Sequence, residues 1–100
     1  MDYVMVNEVY RKKDDIVHRR VAGETILVPI RGRLADMQKI FALNPVGEFI
    51  WDEIDGSRSL QQISEDIQSL FDVTREEANA DLEAFVAELF KEGLIEGTSQ

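Results

Sequence analysis

The sequence predicts an α+β domain: a three-stranded antiparallel sheet followed by a three-helix bundle. Two observations carry this. Apolar residues up to Leu43 fall in short β-rich runs with tight connections, and from Asn44 onward they recur at helical spacing. Two capping-box sequences, Ser59-Leu60-Gln61-Gln62 and Thr74-Arg75-Glu76-Glu77, then mark two helix starts. The chain has 100 residues, 44% of them hydrophobic. That is enough for one domain and one modest core.

Residues 1–15 mix Tyr3, Val4, Val6, Val9 and Tyr10 with the charged run Arg11-Lys12-Lys13-Asp14-Asp15. They are expected to form a flexible N-terminal arm, with room for one short strand. The first predicted strand of the domain is Ile16-Val17-His18-Arg19-Arg20-Val21, with His18 on its surface. Gly23 supports a tight connection because it tolerates positive φ. Thr25-Ile26-Leu27-Val28-Pro29-Ile30 is a continuous apolar run and predicts a buried strand that ends or bulges at Pro29. Residues 31–36 read as a loop. Lys39, Ile40, Phe41, Ala42 and Leu43 form the third strand. Short connections favour a 1-2-3 meander, which leaves this third strand at an edge.

Asn44 is a suitable N-cap, and Pro45 fits the first helical position. Val46, Phe49, Ile50 and Ile54 share one helical face, with Trp51 beside them as a core residue. Gly47 costs helix stability and implies close packing, expected against the sheet. Gly56 is expected to close this helix. Asp52, Glu53 and Asp55 lack the spacing of a calcium loop and read as a solvated face. The second helix buries Leu60, Ile63, Ile67, Leu70 and Phe71. On the third, Ala78, Leu82, Phe85, Val86, Leu89 and Phe90 span an arc of roughly 140°, wider than the ~100° that covers a core. One margin of that arc is free, by this reading, to line an apolar groove. Gly93 ends the helix, and Leu94-Ile95 packs back. A sheet followed by a helix-turn-helix-like pair amounts to a winged-helix-like arrangement over residues 16–96, with a tail at 97–100.

Charge and composition exclude several functions. There are no cysteines and one histidine, so thiolate sites, disulfides and histidine-based zinc sites are out. No Ser/His/Asp set or phosphate loop is present, so the chain reads as no enzyme and needs no cofactor. Residues 1–50 hold eight Lys/Arg against seven Asp/Glu, and residues 51–100 hold three against thirteen. Glu76, Glu77, Asp81, Glu83, Glu88 and Glu92 make the third helix acidic outside its apolar arc. A nucleic-acid partner is therefore excluded, because phosphate binding relies on a positive face. No apolar run approaches the roughly 18 residues of a membrane span, and no signal-peptide core opens the chain. A soluble, cytoplasmic domain is expected, as a monomer or a homodimer.

The residues also spell a family pattern. Gly23-Glu24-x-x-Leu27-Val28 is followed by Ile40-Phe41-x-Leu43-Asn44-x-x-Gly47-x-x-Ile50-Trp51-x-x-Ile54-Asp55-Gly56. Then come Ser59-x-x-x-Ile63, Phe71-Asp72-Val73 and Asp81-Leu82-x-x-Phe85-x-x-Glu88-Leu89-x-x-x-Gly93-Leu94-Ile95. In order and at this spacing they resemble the coenzyme PQQ synthesis protein D (PqqD) family over residues 16–96. The resemblance implies a peptide-binding domain that serves several pathways, so it names a role and not a product. Such domains hold the leader of a ribosomally made precursor peptide and present it to a modifying enzyme, often a radical S-adenosylmethionine enzyme. The leader lies as an added strand on the third strand, against the third helix. The implied peptide-binding residues here are Lys39, Ile40, Phe41, Ala42 and Leu43, with Ala78, Asp81, Leu82, Phe85, Val86 and Leu89; Asp81 holds the family's acidic position. An open edge strand makes the mode physically sensible, since its unpaired N–H and C=O groups can complete a ladder. The same edge could instead pair with another protein, giving an interaction or oligomerisation module.

Overall fold

The computed structural model describes residues 8–98. The chain runs β1 (Val9–Lys12), β2 (Ile16–Val21), β3 (Glu24–Pro29), α1 (Gly32–Asp36), β4 (Phe41–Leu43), α2 (Pro45–Glu53), β5 (Asp55–Ser59), α3 (Leu60–Leu70), α4 (Arg75–Glu92) and β6 (Ile95–Gly97). The α+β class holds. The count of elements differs from expectation: two three-stranded antiparallel sheets and four helices, not one sheet and three helices.

The first sheet is the expected meander, in the order β2-β3-β4. β3 alternates cleanly. Thr25, Leu27 and Pro29 are buried, and Ile26 and Val28 are half-buried on the opposite face. Leu27 lies opposite His18 on β2 and Phe41 on β4, so these three share one face of the sheet, with Leu27 buried and His18 at its exposed margin, as expected. Between β3 and β4, the residues expected as a loop close into the short α1. Met37 N–H donates to Arg33 O at 3.0 Å, and Leu34 packs on the core. Five residues are too few to show a helical period in sequence.

The second sheet, β5-β1-β6, was not anticipated. The expected arm supplies its central strand, with Tyr10 opposite Gly97 and Lys12 opposite Ile95. Tyr3, Val4 and Val6 lie outside the described residues. Nor does Gly56 close α2. The helix stops at Glu53 with Ile54 as its cap, and Gly56 sits at φ +85° in the irregular strand β5. There the Asp55 carboxylate accepts from the N–H groups of Ser57 (2.9 Å) and Arg58 (3.1 Å). Those bonds, Ser57's first, hold it below the usual carboxylate range.

Both capping boxes form, on α3 from Ser59 and on α4 from Thr74. Gly93 ends α4 in the left-handed region. One core joins the layers: Leu27 from the meander, Ile50, Trp51 and Ile54 from α2, Leu60, Ile63 and Ile67 from α3, Ala78, Leu82, Val86 and Leu89 from α4, and Leu94 and Ile95 beyond it. Trp51 is 2% exposed, as expected of a core residue, with Lys12 Nζ 5.6 Å from its ring centroid. Leu70, expected inside, is the last residue of α3 and is 67% exposed.

Candidate functional site

β4 pairs with β3 along one side, and among the described residues no strand pairs with its other side. Its register is Phe41 opposite Leu27, Ala42 opposite Ile26 and Leu43 opposite Thr25. Alternation therefore turns Phe41 and Leu43 inward, where both pack on the core, and leaves Ala42 exposed. Ile40, just before the strand, is 60% exposed.

Helix α4 flanks this edge. At the start of the strand, Lys39 Nζ lies 3.5 Å from Glu92 Oε1 and 5.6 Å from the Phe41 ring centroid. Beyond the end of the strand, Asn44 turns the chain into α2, its side chain accepting from Gly47 N–H at 2.7 Å. A cavity of about 320 Å³ opens here, lined by Asn44, Val46, Gly47 and Ile50 and by Asp81, Ala84, Phe85 and Glu88 of α4. Gly47 explains how close the helices come. A Cβ at this position would stand 3.4 Å from the Phe85 ring and 3.2 Å from Asn44 Oδ1. The close packing expected of Gly47 is thus made against Phe85 of α4, not against the sheet.

The predicted site residues divide into two groups. Lys39, Ile40, Phe41, Ala42 and Leu43 lie along the open edge; Asp81 and the half-buried Phe85 line the cavity at its end. Ala78, Leu82, Val86 and Leu89 offer no such surface. They are at most 3% exposed and form the core beneath the groove. The wide arc of α4 is therefore mostly core. Its far margin, Phe90, turns away to meet Tyr10 of β1 edge-on, with ring centroids 6.1 Å apart. The accessible stripe is Asp81, Ala84, Phe85 and Glu88, at helical spacing beside the buried one. Ala84 and Glu88, three and seven residues past Asp81, lie outside the arc of large apolar residues but on the same helical stripe.

A larger cavity, about 560 Å³, lies between α3 and α4. Leu60, Ala80 and Leu82 line it together with Ser64, which is bonded to Asn79, and Gln68, which donates to Ser64. No strand edge borders it, so it lacks the backbone groups that an extended peptide would pair with. No helix among the described residues is long and apolar enough to cross a membrane.

The family model described as coenzyme PQQ synthesis protein D (PqqD) matches residues 24–95. Among curated proteins no sequence matches significantly. Two solved structures share the fold. One is TbiB1 in complex with the TbiA(beta) leader peptide, at TM-score 0.71 and 23% identity over 90% of this chain and 99% of that one. The other is lasso peptide synthetase B1 complexed with the leader peptide, at TM-score 0.72 and 18% identity over 87% of this chain and 96% of that one.

Proposed function

The chain belongs to the PqqD family, and from that premise we propose that it is a non-enzymatic adaptor that binds the leader of a ribosomally synthesised precursor peptide and presents it to a modifying enzyme. The leader adds as a strand to the open side of β4, with its inward side chains against Phe85 and the cavity between α2 and α4. The observation that carries this is the pairing of an open strand edge with an apolar-floored cavity on the flanking helix. Main-chain bonds along the edge supply affinity for any extended segment, and the cavity supplies a preference for particular side chains. Both structures of similar fold are leader-peptide complexes, which supports the reading. The catalytic step belongs to the partner enzyme, for which the radical S-adenosylmethionine class is the first candidate, and the site of action is the cytoplasm, where the precursor is made.

The test is a titration of isotope-labelled protein with the precursor peptide encoded beside it. Amides of residues 39–43 and of α4 around Asp81 and Phe85 should shift. Absence of shifts with every neighbouring precursor would overturn the proposal. Measuring particle size with and without peptide separates it from self-association through the same edge, which would give a dimer that peptide dissolves.

A further inference from the structure

The groove beside β4 is acidic on its α4 side, and a separate basic cavity lies past the end of that helix. At the α2 end, Asp81 and Glu88 flank Phe85; both are exposed, and neither is ion-paired with a described residue. At the other end α4 finishes in Lys91-Glu92-Gly93, beside a separate cavity of about 390 Å³. Lys13, Arg31, Arg33 and Lys91 wall it, together with Asp15 and Glu92. Its two carboxylates are already matched. Asp15 Oδ1 lies 3.5 Å from Arg31 Nε, and Glu92 Oε1 lies 3.5 Å from Lys39 Nζ. Lys13, Arg33 and Lys91 have no ion-pair partner among the described residues. Three uncompensated cations thus share one cavity on a chain of net charge −9.

The backbone holds this arrangement in place. Lys13 N–H donates to Leu94 O at 3.0 Å, which fixes the β1–β2 turn to the end of α4, and Ile30 N–H donates to Asp15 O at 2.9 Å. The basic cavity adjoins the start of β4. Leu34 is in its wall and accepts from Lys39 N–H at 3.1 Å, while Glu92 is in its wall and pairs with the Lys39 side chain. Cations that converge on one cavity repel one another, and an anion seated there relieves the repulsion. The ten helical steps from Asp81 to Lys91 span about 15 Å. An extended strand covers that distance in about four to five residues.

We propose, on the reading that this groove holds an extended peptide, that it selects its peptide by charge order: a cationic residue beside Asp81 and Glu88, an apolar residue over the Phe85 that they flank, and an acidic residue toward the Lys13, Arg33 and Lys91 cavity. The peptide position beside Asp81 and the acidic position lie about four to five residues apart. Such a pattern fixes register along an edge whose backbone bonds would otherwise accept any extended segment.

The experiment is selection of a displayed random-peptide library on the full chain, repeated on two variants. One carries Lys13→Gln, Arg33→Gln and Lys91→Gln; the other carries Asp81→Asn and Glu88→Gln. Peptides selected by the unaltered protein should share an apolar stretch with Lys/Arg on one side and Asp/Glu on the other, in a single order. The first variant should keep the apolar stretch and lose the acidic preference, and the second should lose the basic preference. A synthetic copy of a selected peptide should bind the first variant about tenfold more weakly at low salt, and the difference should shrink at high salt. An apolar stretch selected without charge order would overturn this inference and leave peptide binding standing. Failure to select any apolar stretch would overturn both.

Discussion

Glu53 was expected on a solvated face, yet its side chain is only 15% exposed and one of its oxygens is enclosed. Burial, with a hydrogen bond to Asp66 next in weight, pushes its carboxyl up to about 7, although the Arg58 guanidinium 3.6 Å away opposes the shift. A carboxyl that keeps its proton to about 7 in the fold but releases it near 4.5 when unfolded is stabilising below about 4.5. That stability is lost as the pH rises through about 7. Glu53→Gln should therefore flatten the decline between those pH values. At pH 8 it should gain on the order of 1 kcal/mol, or about 4–8 °C in Tm, after allowance for solvent and for Arg58. Thermal melts across pH check it, and an unchanged slope would refute it. Asn44→Ala removes the acceptor of the Gly47 N–H and should cost about 1 kcal/mol in chemical denaturation. Phe85→Ala should weaken leader binding at least about tenfold by loss of the apolar wall between Asp81 and Glu88. Calorimetric titration measures that, with near-native affinity as the refuting result. The place of Phe85 on α4 was readable from the helical period, whereas Asp81 was named by the family resemblance. The burial of Glu53 was not readable, because its neighbour Asp66 is on another helix and only packing brings them together.

At the scale of elements, what sequence revealed follows the length of each connection. β2, β3 and β4 follow one another closely, so their pairing and the open side of β4 could be read from turns and alternation. β5 could not. Asp55–Ser59 is a polar segment of low strand propensity, and it becomes a strand only because β1 lies beside it, with Val9 opposite Ser59 and Arg11 opposite Asp55 across a shift in register. β6 is three residues that read as a packed tail until Tyr10, Arg11 and Lys12 pair with them. Within this sheet Arg11 also pairs with Glu96. Removing residues 1–12 should thus strip hydrogen-exchange protection from Asp55–Ser59 and Ile95–Gly97 while β2, β3 and β4 keep theirs. Equal loss in both sheets would show that they open as one unit. On α4 the sequence marked the helix, its cap and its stop correctly; it overstated the open part of the apolar face, because the core uses Ala78, Leu82, Val86 and Leu89 completely.

For the molecule as a whole, charge separates along the chain and the groove lies on the boundary. The open edge belongs to the nearly neutral first half, and the flanking α4 to the half with three Lys/Arg and thirteen Asp/Glu. Duplex DNA should consequently show no salt-dependent binding in an anisotropy titration, because a recognition surface built on α4 would face phosphate with carboxylates. The closing sheet has a consequence in time. Among the described residues β1 pairs as a strand with β5 and β6 alone, and β6 lies more than eighty residues further on. During synthesis, β1 must wait unpaired on one side until Ile95–Gly97 has emerged. Meander and helices can form while it waits. The last bonds of this sheet then join segments more than eighty residues apart, and a nascent chain halted before Ile95 would expose β1 as a strand still seeking its partner.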